Sequence, residues 1–114
     1  DIIMFGHLRY QSIASEPASL SPYFHTFFNN QGFTGLTITD DLGMVESSGM
    51  DPLQTLKQAI DAGSDMLLYV KSKEDPYRLF QEAIVYATSS SDISTSFQQH
   101  YDHIRTIKHQ RLTR

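Results

Sequence analysis

The sequence predicts an α/β chain of alternating strands and helices, and three observations carry that prediction. Short apolar or β-branched runs recur at Ile2–Phe5, Phe33–Thr39 and Asp65–Val70. Segments with apolar residues at helical spacing lie between and after them. Pro, Gly, Asn and Asp stand at the junctions, where they start and stop elements.

Ile2-Ile3-Met4-Phe5 ends at Gly6 and suits a buried strand. After a polar stretch containing Pro17, Ser21-Pro22 opens a helix, with Ser as N-cap and Pro at the first helical position. Tyr23, Phe24, Phe27 and Phe28 form its apolar face, and Asn29-Asn30-Gln31-Gly32 ends it. Phe33–Thr39 is a strand, followed by a loop containing Gly and Ser. Asp51-Pro52 starts the next helix, with Leu53, Leu56, Ala59 and Ile60 on one face and Asp61-Ala62-Gly63 as its close. Asp65–Val70 is a third strand, expected to be buried on both faces because it is nearly all apolar. Pro76 begins a helix bearing Leu79, Phe80, Ala83, Ile84 and Ala87. A break at Ser89-Ser90-Ser91 precedes a terminal helix striped by Phe97, Tyr101, Ile104 and Ile107.

The order is thus β-α-β-α-β-α plus a terminal helix, treated as a single segment over residues 1–114. Such alternation implies parallel strands with right-handed crossovers. It fits either a doubly wound sheet or part of a (β/α)8 barrel; a whole barrel needs about 250 residues, so this chain does not close one alone. A chain that begins in an apolar run without Met reads as a piece of a longer product.

The net charge of −4 argues against a nucleic-acid partner. Arg105, Lys108, Arg111 and Arg114 are read as a solvated helix face near the C-terminal dipole. No apolar run approaches the ~20 residues of a membrane span, and no membrane partner is expected. Without cysteine there are no disulfides or thiolate ligands, which leaves the compartment open. His100 and His103 lie three apart on the terminal helix and could begin a metal site, but no third ligand stands at a suitable spacing. Neither a metal nor a cofactor is expected. Lys71-Ser72-Lys73 follows the last strand without the Gly-rich turn of a phosphate site.

Asp40-Asp41 stands at the C-terminal end of the middle strand, where parallel α/β folds gather their chemistry. Successive strand residues point to opposite faces, so one of the two acids should face a cleft. The alternation itself does not say which.

Three segments together are similar to the catalytic barrel of family 3 glycoside hydrolases, in its bacterial β-N-acetylglucosaminidase (β-N-acetylhexosaminidase) branch. They are Met4-Phe5-Gly6-His7; Pro17–Pro22 followed by Gly32–Met44; and Ala59–Leu68. The resemblance implies the last three strand–helix units of a TIM barrel, its C-terminal segment. It implies a retaining hydrolase releasing terminal β-linked N-acetylglucosamine, with Asp40 as nucleophile and an N-acetylglucosamine-containing saccharide as partner. His7, Met44 and Asp41 are then candidate substrate-binding residues, with Asp41 read first as a loop or cap residue or as a partner that orients its neighbour. The family's acid/base His and its Lys-His-Phe-Pro-Gly-His-Gly stretch have no counterpart here, so the isolated segment is expected to be inactive. The alternatives are a family 3 β-glucosidase or β-xylosidase, or a non-catalytic interaction module whose open edges lead to self-association.

Overall fold

The computed structural model describes residues 1–113. Two parallel strands, β1 (Ile2–Phe5) and β2 (Leu36–Thr39), pair in register from Ile2↔Leu36 to Phe5↔Thr39. Five α-helices are present, the four expected and one more, α2: α1 (Pro22–Asn30), α2 (Leu42–Ser47), α3 (Pro52–Ala62), α4 (Pro76–Ala87) and α5 (Ser91–Leu112). A short 3-10 turn, Ala18–Leu20, lies before α1.

The helix starts follow local chemistry. Asp51 accepts from the Leu53 and Gln54 amides, and Asp75 accepts from Tyr77, each ahead of a Pro at the first helical position. Gly63 ends α3 in the left-handed region at φ 99°, where a side chain would be strained. Ser21 precedes α1 without a side-chain cap bond.

The third strand departs from expectation. Residues 65–70 run alongside β2, but only Met66 forms a bridge, parallel to Ile38. The reason lies in side chains that take the place of ladder partners. Thr39 Oγ1 accepts the Leu68 amide at 3.0 Å, and Asp65 Oδ2 accepts the Thr37 amide at 2.8 Å. The Leu68 carbonyl is in turn used by the Leu42 amide at the start of α2. The segment is half-buried rather than buried on both faces, and Val70 is exposed. Among the described residues its backbone meets no other strand than β2.

Other faces shift as well. β2 begins at Leu36 rather than Phe33. In α1 the buried residue is His25, while Tyr23 and Phe27 are exposed. In α4 the inner face runs through Leu79, Ala83 and Ala87, and Phe80 and Ile84 are exposed. The stretch expected as a loop after Asp41 contains α2, whose Leu42 and Val45 join Leu20 and Ala59 in the core. In α5, Phe97, Ile104 and Ile107 are half-buried and Tyr101 is exposed. Arg105, Lys108 and Arg111 are exposed as expected, and Arg114 lies outside the described residues.

Candidate functional site

The site forms where β1 and β2 end together. Past the last rung, the Asp40 amide donates to the Phe5 carbonyl at 2.9 Å, so the ladder holds the first acid in place. The Asp40 carboxylate is half-buried; its Oδ1 accepts the Asp41 amide at 2.8 Å. Among the described residues, Oδ2 meets no donor.

Asp41 is committed differently. Its side chain caps α2, with Oδ1 3.1 Å from the Gly43 amide, and reaches across to the Val70 amide at 2.9 Å. The Val70 N–H draws the carboxyl below the usual carboxylate range, against some desolvation and with help from the Gly43 amide. An acid holding two backbone amides is a joint between β2, α2 and the 65–70 segment. Gly43 makes that joint possible, because a Cβ there would collide with the Lys71 carbonyl.

His7 arrives from the exit of β1. Its Nε2 lies 2.8 Å from the Asp41 carbonyl and its Nδ1 lies 2.6 Å from Ser19 Oγ. The same carbonyl accepts the Met44 amide at 2.9 Å. The Met44 side chain is exposed on the first turn of α2. The fold therefore brings His7, Asp40, Asp41 and Met44 to one end of the sheet. Among the described residues both acids keep Oδ2 without a donor; they differ in Oδ1, which in Asp41 holds the Gly43 and Val70 amides and in Asp40 takes only the neighbouring Asp41 amide.

Residues that sequence reasoning passed over support this end. Ser19 and Thr39 are wholly buried and bond as described above. Glu46 is also wholly buried and accepts from Ser72 Oγ, at 3.0 and 2.9 Å, and from the Lys73 amide at 2.8 Å. Lys73 Nζ donates to the Glu46 carbonyl, so the Lys71–Lys73 stretch clamps α2. A partial signal was present, since an acid inside an otherwise apolar turn needs partners when buried.

At the opposite end of the strands, His100 and His103 both approach Asp65 Oδ1, at 2.8 and 3.1 Å. They serve the docking of α5. Among the described residues, no group of three potential ligands is arranged to hold a metal.

Two parallel strands flanked by helices, with an acidic pair at their C-terminal end, define the chain as an α/β domain. The chain belongs to glycosyl hydrolase family 3: residues 1–107 match that family's N-terminal domain. The expectation of a C-terminal segment is corrected to that extent, since the matched domain is the N-terminal one. A β-hexosaminidase of Shewanella frigidimarina is 41% identical over 69 residues, covering 58% of this chain and 20% of that protein. The β-N-acetylhexosaminidase structure from Beutenbergia cavernae superposes with a TM-score of 0.80 at 23% identity, over 94% of this chain and 33% of that one. The β-N-acetylglucosaminidase of Thermotoga maritima gives 0.68 at 25% identity, over 91% of this chain and 25% of that one. The chain spans about a fifth of the curated relatives it matches.

Proposed function

We propose that this chain supplies the nucleophile, Asp40, to a retaining β-N-acetylhexosaminidase acting on terminal β-linked N-acetylglucosamine. The observation that carries the reading is the difference between the two acids. Asp41 is anchored as a joint, its Oδ1 holding the Gly43 amide of α2 and the Val70 amide of the 65–70 segment, whereas the Asp40 carboxylate carries no such structural load and takes only the Asp41 amide, on Oδ1. The names of the relatives favour the substrate class.

In this reading Asp40 Oδ2 attacks the anomeric carbon, and the leaving oxygen takes a proton from an acid elsewhere in the domain. Water then releases the sugar from the glycosyl-enzyme. The Asp41 N–H on Oδ1 fixes the carboxylate plane and leaves Oδ2 as the attacking atom. The three β-α units are the last three of a (β/α)8 barrel, and its other units cover the apolar side near Met4, Leu8 and Phe27. That side is a groove of about 400 Å³. The isolated 114-residue chain is then expected to be inactive and to self-associate through this face. Light scattering on the purified segment checks the second point.

The central test is hydrolysis of an aryl N-acetyl-β-glucosaminide by the complete protein. Asp40→Ala is expected to cost roughly a thousandfold or more in kcat. Near-normal turnover in that variant removes Asp40 as nucleophile. Cleavage of an aryl β-glucoside or β-xyloside alone moves the assignment to another branch of the family.

A further inference from the structure

His7 has no ring nitrogen left for a sugar. Nε2 faces the Asp41 carbonyl, which can only accept, so Nε2 carries the proton. In the neutral ring Nδ1 is then bare, and it accepts the hydroxyl proton of Ser19. Ser19 is wholly buried on the 3-10 turn, and that turn is laced to the exit of β1. The Ser19 amide donates to the Gly6 carbonyl at 3.2 Å, and the Ala18 amide donates to Leu8 at 3.0 Å.

The Asp41 backbone is thereby held at both ends. Its amide grips Asp40 Oδ1, and its carbonyl is gripped by His7 and by the Met44 amide. We infer that His7 is a positioning residue for the nucleophile, acting through the Asp41 carbonyl, which fixes its tautomer, and that Ser19 holds the ring in place. The inference rests on the reading of Asp40 as nucleophile. Were the ring in the other tautomer, the bare Nε2 would point its lone pair at the carbonyl oxygen. The Asp41 carbonyl would then be held by the Met44 amide alone, and drift of the Asp41 backbone would carry the N–H that orients Asp40 out of line. Misplacement of a reacting group by about 1 Å can cost on the order of a hundredfold in rate.

The test uses the complete protein and the same aryl N-acetyl-β-glucosaminide. His7→Ala is expected to lower kcat by about ten- to a hundredfold. Its KM should stay within about twofold, because no sugar contact is lost. His7→Gln keeps an N–H near the Nε2 position and should recover most of the lost rate. Ser19→Ala should cost about threefold, the scale of one hydrogen bond. A rise in KM at unchanged kcat would show a sugar ligand instead. Equal damage from His7→Ala and His7→Gln would show a packing role. Either result overturns the inference.

A second measurement is independent of turnover. Ring nitrogen NMR on histidine-labelled protein should find the His7 proton on Nε2, and should find it there in Ser19→Ala as well, because the Asp41 carbonyl remains. A proton on Nδ1 in the unmodified protein overturns the relay. The outcomes separate from those of the parent reading. If Asp40→Ala stays active, the nucleophile assignment fails whatever His7 does. If Asp40→Ala is dead and His7→Ala turns over normally, only the positioning role fails.

Discussion

Asp65 and His103 fasten the terminal helix to the strands: Nδ1 lies 3.1 Å from Oδ1, and Nε2 lies 3.1 Å from the Thr34 carbonyl. Both partners can only accept, so both ring nitrogens donate and the ring is an imidazolium. His100 shares the same Asp65 oxygen through its Nδ1. The other oxygen takes the Thr37 amide and hydroxyl, at 2.8 and 3.0 Å. No described residue of α5 is buried, so this polar cluster carries much of the helix's attachment.

The first prediction concerns alkaline pH. Burial pulls the His103 pKa down, but the Asp65 carboxylate and the Thr34 carbonyl outweigh it and raise the pKa above 6.5. A base raised in the folded state gives stability that is fully present below its ordinary value and lost as pH rises through the folded one. The α5 helix should therefore loosen on the alkaline side, as pH rises past the ordinary histidine value and through the raised one. Amide exchange across 91–112 should quicken relative to β1 and β2. His103→Gln should already be loose at neutral pH and show a flatter alkaline limb. Unchanged α5 protection from neutral to alkaline pH would contradict the latch. Asp65, whose desolvation is overcome by bonds from His100 and Thr37, is drawn down to about 2. Its contribution is present above 3.8 and is lost as pH falls through about 2.

His25 should act in the opposite sense. Its ring is 5% exposed and sits 4.3 Å from the Phe5 ring, with Nδ1 lacking a partner. Burial lowers its pKa from 6.5 to about 4, against the Asp65 charge and with a small push from His100. Between those values the unfolded ring binds a proton that the folded ring refuses, so stability falls as pH drops from 6.5 toward 4. With His103 limiting the alkaline side, maximum stability is expected near neutrality. His25→Phe should flatten the acid limb and raise the unfolding midpoint at about pH 5, where an unfolded histidine is charged. A melting profile parallel to that of the unmodified protein would show that another group governs this range.

Glu46 should matter to stability well out of proportion to its place on a short helix. Its carboxylate is wholly buried and serves as acceptor for the Lys73 amide and the Ser72 hydroxyl. Glu46→Gln sets an amide NH2 against one of those donors and strands a buried group. A cost of about 2 kcal/mol is expected. Urea unfolding of the complete protein measures it, with the exposed Glu16 as the neutral comparison. A loss below about 0.5 kcal/mol, the range of ordinary surface changes, would mean that the site is not dry.

What could be read from the chain depended on how far apart the partners stand. Asp51 and Pro52 announce α3 because a cap and its amides lie within three residues. Asp40 was legible because a strand and the acid that follows it are contiguous. Asp65 and His103 are 38 residues apart, and His7 and Asp41 are 34 apart, so no local pattern pairs them. The third strand was misjudged for a related reason. Its composition favours a ladder, but the Thr39 hydroxyl occupies the Leu68 amide. In α4 the helical period allowed Phe80 and Ile84 on the inner face. Packing against α3 kept Leu79, which alone in that helix is fully buried, and left those two outside.

Gly43 offers the sharpest test of the joint beneath the nucleophile. Alanine is the better helix former by about 1 kcal/mol, so propensity alone favours Gly43→Ala in the first turn of α2. Packing opposes it, because the added methyl would overlap the Lys71 carbonyl, which is backbone and cannot simply swing away. Overpacking of that kind costs about 1–3 kcal/mol, and displacing a backbone carbonyl belongs at the upper end. The net expectation is a loss of about 2 kcal/mol once propensity is set against clash. The damage should also reach function. Relief of the clash moves α2 away from residues 70–71, stretching the Asp41 bonds to the Gly43 and Val70 amides. Since the Asp41 amide orients Asp40, kcat should fall more than stability alone explains. Gly6→Ala is the control, because a Cβ there meets nothing within 4 Å. If the two alanine variants unfold at the same denaturant concentration, the tight contact between α2 and Lys71 does not constrain the site.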